Sequence, residues 1–454
     1  MHSSPEKVLE EIRQDPKAKV KVAVADLDGV LRGKYMSKDK FLSAATDSFG
    51  FCNVVLGWDS SDNCYDHVDF TGLHTGFPDT PARIDLGTFR RVPWDGQIAF
   101  FLGEFLATDG SPLAICPRQL LKKVLNKAES MGYLAKIGME FEWFNFKETP
   151  QSLAAKNYLG AEPLSPGMFG YSVLRTSLNR PFFEALMDET LDFGIPLEGL
   201  HTETGPGVLE AAIAVDDALE AADRAILFKT AAKEIGLRFG IMPSFMAKPS
   251  MSLPGCSGHL HLSLWSLDNS QNLFYDEAEP HKMSPLFRSA LAGQLHCLPE
   301  VLPMYAPTIN SYKRLVEGYW APTRPNWGID NRTVSLRVIP GSKKSTRVEV
   351  RTPGADVNPY LAMAAAIASA LYGIEHKLPL DTPPVTGNGY AATEFPLLPR
   401  NLYESSEKMA GSEAAHELFG ETFVKHFTTT RFWECKQFHN TVTDWELKRY
   451  FEII

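Results

Sequence analysis

Three short stretches of this chain repeat one inversion. In residues 139–144 (MEFEWF), Glu140 and Glu142 alternate with Phe141 and Trp143. In 258–265 (GHLHLSLW), His259, His261 and Ser263 alternate with Leu260, Leu262 and Leu264, and in 347–352 (RVEVRT), Arg347, Glu349 and Arg351 alternate with Val348 and Val350. A period of two belongs to β-strands, whose successive side chains leave on opposite faces. A sheet made of these strands is apolar on one face and ionisable on the other. The apolar face packs outward against helices, and the charged face lines an interior that is unstable unless cations neutralise its carboxylates. The pattern therefore predicts mixed α and β structure around a metal-binding concavity.

Two further segments supply what such a concavity needs. In GLHTETGPGVLEAAI (199–213), Glu203 and Glu210 stand on either side of a Gly-Pro-Gly turn that can bring their carboxylates together. Many carboxylates with one histidine favour Mg²⁺ or Mn²⁺ over Zn²⁺, for which cysteines and several histidines would be expected. The basic half runs from residue 310 to 338, with Arg314, Arg332 and Arg337, and continues through Lys344, Arg347 and Arg351. Guanidinium forks suit carboxylates and phosphates, and facing a carboxylate and metal cluster they suit phosphoryl transfer.

The rest of the chain organises around these strands. Val8, Leu9 and Ile12 predict a helix over 5–14, and KVKVAVADLDGVLRGKYM predicts a hairpin turning at Asp28-Gly29. Residues 49–106 read as a β-rich unit with a long shaped loop. Pro117 and the stripe Leu120, Leu121, Val124, Leu125 open a new helix, and further helices are expected over 213–236 and 359–378. The segment ADLDGVL resembles the nucleophile segment of haloacid-dehalogenase-type phosphatases, but its Asp-Gly turn and the strand after it favour a hairpin. No glycine cluster has the strand and helix context of a Rossmann or P-loop site.

A net charge of −10 argues against a general nucleic-acid or anionic-membrane binder. The six cysteines form no CxxC pair and read as free thiols of a reducing compartment. With no apolar run long enough to span a membrane and no signal-peptide pattern at the start, the expected location is the cytoplasm.

In order along nearly the whole chain, DLDGVLRGK, MEFEWF, ExGPGxxE, SGHLHLSLW, NSYKRLV, NRTVSLRV and RVEVRTPGADVNPYLAMAA resemble the glutamine synthetase family. NSYKRLV and RVEVR are the most specific of these. The resemblance implies an α+β fold: a small N-terminal β-grasp domain (1–108) carrying the amine-site loop, and a catalytic domain (109–454) with a curved antiparallel sheet flanked by helices. It implies homo-oligomers of stacked hexameric rings whose active sites are completed by a neighbour's N-terminal domain, and an ATP-dependent ligase using Mg²⁺ or Mn²⁺.

Residue by residue, the match implies one metal among Glu142, Glu203 and Glu210 and a second among Glu140, His259 and Glu349. Gly255, His259, Arg314 and Arg351 fall on glutamate-contacting positions, and His261, Ser263, Arg337, Lys344 and Arg347 on the nucleotide side. Asp59, Glu203 and Arg332 are implied in catalysis, Arg332 steadying the γ-phosphate and Asp59 binding and deprotonating the amine.

The chain departs from the family at Trp320, where ammonia-using members carry a glutamate that helps form a negative pocket for ammonium. Exchanging that charge for a large ring disfavours a small hydrated cation and favours a carbon-bearing amine. The resemblance then implies ligation of the γ-carboxyl of L-glutamate to an aliphatic or aromatic monoamine, such as an alkylamine or aniline, through a γ-glutamyl phosphate. Ammonia and polyamines are the alternative acceptors. A non-enzymatic structural member is the alternative class, although such members lose metal ligands or the phosphate-binding arginine that this chain keeps. Pro254 and Val208 are smaller departures, standing where many members have asparagine and glutamine.

Overall fold

The computed structural model describes residues 5–454. The first sheet is formed by β1 (Lys19–Ala25), β2 (Leu31–Ser37), β3 (Phe49–Cys52), β4 (Asp79–Ile84), β5 (Arg90–Val92) and β6 (Ile98–Phe105), in the order β2-β1-β6-β4-β3 with β5 also paired to β6. β1 runs antiparallel to β2 and parallel to β6. Val20, Val22 and Val24 share a core with Ala99 and Phe101, closed by Val8 and Ile12 of the helix Pro5–Gln14 and Phe41 of the helix Lys38–Ala44. Their alternates Ala23, Ala25, Phe100 and Leu102 join the core of the larger sheet instead. Alternation along two strands thus ties the N-terminal sheet to the rest of the molecule through buried apolar surface.

The expected hairpin is present, but its turn is longer than the two residues Asp28-Gly29. Asp26 N–H donates to Val30 O, and the Asp26 carboxylate accepts from the backbone of Asp28 and Val30 and from Arg32 Nε. Asn358 explains the longer loop. Its side chain donates to the carbonyls of Asp26 and Leu27, so the loop is shaped to dock on the start of the helix Pro359–Glu375 rather than to close tightly on itself.

The larger sheet contains β7 (Tyr133–Phe146), β8 (Leu197–Thr202), β9 (Val208–Asp217), β10 (Met242–Ser244), β11 (Gly258–Ser266), β12 (Trp327–Ile329), β13 (Leu336–Ile339) and β14 (Arg347–Val350). Their order is β12-β13-β14-β11-β7-β9-β8, with β10 paired to β7. The pairing is antiparallel except between β12 and β13, which run parallel. Bulges in the β7/β9 and β8/β9 ladders bend this sheet, and one face becomes concave.

The convex side follows the sequence pattern. Phe141, Trp143, Leu260, Leu262, Leu264, Val348 and Val350 are all buried. The helices Pro117–Ser130, Ala218–Arg238, Pro285–Tyr305 and Pro359–Glu375 belong to the same apolar core. The helix expected over 213–236 begins only at Ala218, because residues up to Asp217 continue the β9 ladder with β7. Ala211 and Ile213 face the core while Glu210 and Ala212 line the concavity, a period of two that the alanine-rich composition masked. No disulfide joins the six cysteines, and no helix among the described residues is long and apolar enough to cross a membrane.

Candidate active site

Strand register assembles the site. His259 of β11 lies opposite Glu140 of β7, Glu142 of β7 opposite Glu210 of β9, Glu210 opposite His201 of β8, and Arg337 of β13 opposite Glu349 of β14. Directly opposed residues on one face have neighbouring Cβ atoms, so these strands deliver their polar side chains to one place. The cavity there has a volume of about 550 Å³. Its lining includes all six expected metal ligands, Glu140, Glu142, Glu203, Glu210, His259 and Glu349, together with Gly255, Arg314, Trp320, Arg332, Arg337 and Arg351.

Two donor groups form within it. Glu140, His259 and Glu349 hold ligand atoms close enough to share one ion, with His259 Nδ1 3.4 Å from Glu349 Oε1 and 3.7 Å from Glu140 Oε2. The second group is His201, Glu203 and Glu210, with His201 Nδ1 3.8 Å from Glu203 and Nε2 3.8 Å from Glu210. Glu142 stands beside this group and accepts the Ser257 N–H at 2.8 Å. The Gly-Pro-Gly turn makes the second group possible. Glu203 N–H donates to Val208 O, and Gly207 has a φ of +73° and packs so tightly that a Cβ would sit 2.6 Å from Asn145 O.

Burial, then repulsion from Glu142, Glu140, Glu203 and Glu349, pushes the Glu210 carboxyl up to about 9. Burial and the nearby Arg351 hold the His259 imidazole below its usual value, so its neutral lone pair is available. His259 Nε2 and Glu203 Oε2 are buried with no hydrogen-bond partner among the described residues. Crowded carboxylates, a neutral imidazole and two orphaned donor atoms are what divalent cations would relieve. The residues fit such ions.

Guanidiniums line the cavity beside the first group. Arg337 donates through Nη1 to Glu349 at 2.7 Å and through Nε and Nη2 to Asp330, while Arg351 pairs with the other oxygen of Glu349. Glu349 is held at about 2: burial works upward, but His259, Arg351, His261 and Arg337 together outweigh it. Arg314 is buried and donates to the carbonyls of Thr352 and Arg351, so its fork braces the wall. A Cβ on Gly255 would meet Ala247 O at 2.6 Å and Arg314 Cγ at 2.7 Å, which explains the glycine beside that arginine. Arg332 is exposed at the cavity edge.

Five expected residues do not line this cavity. His261 lies one step along β11, its Nε2 3.1 Å from Glu140 and its Nδ1 accepting from Arg347 Nε at 3.0 Å. Ser263 is buried and accepts the Trp265 indole N–H. Lys344 is exposed in the loop joining β13 to β14. Asp59 belongs to a separate loop packed on the helix Glu421–His439. Its carboxylate accepts from the backbone of Ser61 and Asn63 and from the Trp433 indole at 3.2 Å, and although burial works the other way these bonds hold it below the usual range. Of the two departures, Pro254 lines the cavity, whereas Val208 is buried in the core.

Sequence reasoning passed over His201, Tyr171 and Tyr319. His201 was detectable, since it stands two positions before Glu203 in an alternating segment. Tyr171 stacks on His201 with centroids 4.3 Å apart, and its loop carries no periodic signal.

A bent sheet that gathers carboxylates and imidazoles able to hold cations, with guanidiniums beside them, defines an enzyme that uses bound metal and positive charge to activate one anion against another. The glutamine synthetase catalytic domain matches residues 114–450, and the chain belongs to the glutamine synthetase family of ATP-dependent, divalent-metal-dependent γ-glutamyl ligases. It is 55% identical over 450 residues to type-1 glutamine synthetase 2 of Dictyostelium discoideum, covering 98% of this chain and 86% of that protein. It is 40% identical over 441 residues to a glutamate–isopropylamine ligase of a Pseudomonas species, covering 96% and 95%. The solved structure of a GmaS/ADP complex superposes with a TM-score of 0.85 at 25% identity, covering 99% of this chain and 100% of that one.

Proposed function

We propose that this enzyme joins the γ-carboxyl of L-glutamate to an organic primary monoamine, aliphatic or aromatic, such as an alkylamine or aniline. The observation that carries this reading is Trp320, a cavity-lining residue that is 58% exposed and brings a ring to the position where a carboxylate would attract ammonium. Similarity to the glutamate–isopropylamine ligase supports it.

The chemistry follows from the oxygen it must remove. A carboxylate is a poor acylating agent because oxide would have to leave. In the proposed reaction the γ-carboxylate attacks the γ-phosphorus of ATP and ADP departs. The amine then attacks the acyl phosphate, phosphate leaves, and the amine's proton passes to a base. Magnesium or manganese, held by Glu142, Glu203 and Glu210 on one side and Glu140, His259 and Glu349 on the other, would offset the negative charge of the phosphates. His201 joins the first group in this reading.

Gly255, Arg314 and Arg351 orient glutamate, Arg332 steadies the transferring phosphoryl group, and Arg337, His261, Ser263, Lys344 and Arg347 serve the nucleotide. Asp59 attracts the acceptor as its ammonium and takes the proton whose loss frees the nitrogen lone pair for attack; the second proton leaves the nitrogen as the amide forms and goes to the departing phosphate. Because Asp59 lies outside the cavity of its own chain, we place it in the site of a neighbouring subunit, with the chain divided at 108/109 and assembled into stacked hexameric rings.

The name of the Dictyostelium relative favours a second reading, in which ammonia is the acceptor. The deciding measurement is kcat/KM for isopropylamine, aniline and ammonia with purified enzyme, ATP, Mg²⁺ and glutamate. At least one organic amine is expected to exceed ammonia by about tenfold or more, the scale of one lost charge interaction. A clear preference for ammonia overturns the reading.

A further inference from the structure

Lys248 carries a charge for which the reaction gives no use. Its side chain is buried, 2% exposed, and among the described residues no hydrogen-bond acceptor reaches Nζ. The ammonium instead sits over the ring of Tyr319, 3.8 Å from its centroid. Burial, reinforced by repulsion from Arg314, lowers its pKa, so the negative ring face is the compensation on hand for a desolvated cation.

Its backbone is fixed at both ends. Lys248 N–H donates to Asn310 Oδ1 at 2.7 Å and Asn310 Nδ2 donates back to Lys248 O at 3.0 Å, while Cys256 N–H donates to the preceding carbonyl of Ala247 at 2.8 Å. The lysine therefore projects from the braced wall that holds Gly255 and Arg314.

The strap at 315–321 is held less firmly. Gly318 and Trp320 both have positive φ, +83° and +62°, a conformation a tryptophan rarely adopts. The Trp320 carbonyl has only a long contact with Arg351 Nη2, at 3.5 Å. Tyr319 and Trp320 nevertheless both line the cavity. The Trp320 backbone also meets the Tyr390 hydroxyl, and the Lys248 ammonium against the Tyr319 ring is the contact that reaches across from the wall to the strap.

We propose that Lys248 is a positioning residue for the acceptor amine: by holding the Tyr319 ring it fixes the strap that presents Trp320 to the cavity. The inference rests on the reading that this strap borders the acceptor. It predicts an effect on the amine alone, since the glutamate-side wall keeps its own hydrogen bonds.

The test is steady-state kinetics of the intact enzyme with ATP, Mg²⁺, glutamate and isopropylamine, comparing Lys248→Met, Lys248→Arg, Tyr319→Leu and the double variant Lys248→Met/Tyr319→Leu. Lys248→Met is expected to raise the KM for isopropylamine about tenfold or more while moving the KM for glutamate less than about threefold, the loss of a buried cation–ring contact. Lys248→Arg, which keeps the cation, is expected to recover most of the loss. Tyr319→Leu should match Lys248→Met, and the double variant should be no worse than either alone. An unchanged amine KM, an equal rise for glutamate, or additive losses overturns the proposal. If Lys248→Met does not fold, Tyr319→Leu is held to the same expectation. If the wild type prefers ammonia, the amine reading fails, and the rise in KM is then expected for ammonia; its absence would overturn the role of Lys248 separately.

Discussion

An indole and a carboxylate occupy similar positions in a pocket wall but act oppositely on a cation, one removing water and the other replacing it with charge. On that ground Trp320→Glu is expected to lower the KM for ammonium and raise that for isopropylamine, each by about tenfold, the scale of a single charge contact near a protein surface. Competition between the two acceptors in one reaction mixture measures both shifts. A variant that loses both activities together would mean that Trp320 supports the strap without selecting the acceptor. The cavity residues Glu140, Glu142, His259 and Glu349 were legible because alternation sets each on the polar face of its strand, whichever strand lies alongside. Lys248 was not, since an unpaired buried lysine and a ring seventy-one positions later leave no periodic trace.

Elements that depend on distant partners were the ones misread. The β1–β2 loop has the length Asn358 requires, and β9 runs on to Asp217 because β7 extends alongside it. The helix Glu421–His439 shows the same dependence in its energetics. Its His426 is buried with Nε2 2.9 Å from Leu56 O, and burial, with Arg431 adding to it, lowers the imidazole pKa to about 4 from 6.5, against weaker opposing effects of the Leu56 hydrogen bond and Asp69. The unfolded histidine takes up a proton below 6.5 that the folded one refuses until about 4. Stability is therefore full above 6.5 and falls with pH across that window, by about 2 kcal/mol at pH 5. Urea midpoints at pH 7.5 and 5 are expected to show this loss in the wild type and a smaller one in His426→Gln, whose amide still donates to Leu56. Equal losses would assign the acid sensitivity to other groups.

At the scale of the whole molecule, the cavity gathers the carboxyl groups of Glu140, Glu142, Glu203, Glu210 and Glu349, and Asp59 stands apart from them in the same chain. The cluster predicts that Mg²⁺ or Mn²⁺ stabilises the fold, by about 2.7 kcal/mol at a hundredfold excess over Kd, and that EDTA reverses the gain. Thermal unfolding with and without the ion measures it, and no shift in Tm would mean the carboxylates are satisfied otherwise. The separation of Asp59 predicts complementation. Asp59→Asn and Arg332→Ala are each expected to be inactive alone, while co-expression of the two chains should restore about a quarter of the wild-type rate if a site draws one residue from each neighbour. No recovery in mixed oligomers would remove Asp59 from the site.

The sequence by itself determined the chemistry of the concave face, because a period of two forces charged and apolar residues apart wherever the strands go. It also determined the family, because several motifs occur in one order along the chain. Only the tertiary structure decided which carboxylates meet, since register is a property of pairs of strands: it set His201 opposite Glu210, left Ser263 and Lys344 outside the cavity, and brought Lys248 under Tyr319. A contact between segments far apart in the chain depends on how both are packed, and no local pattern in either one encodes it.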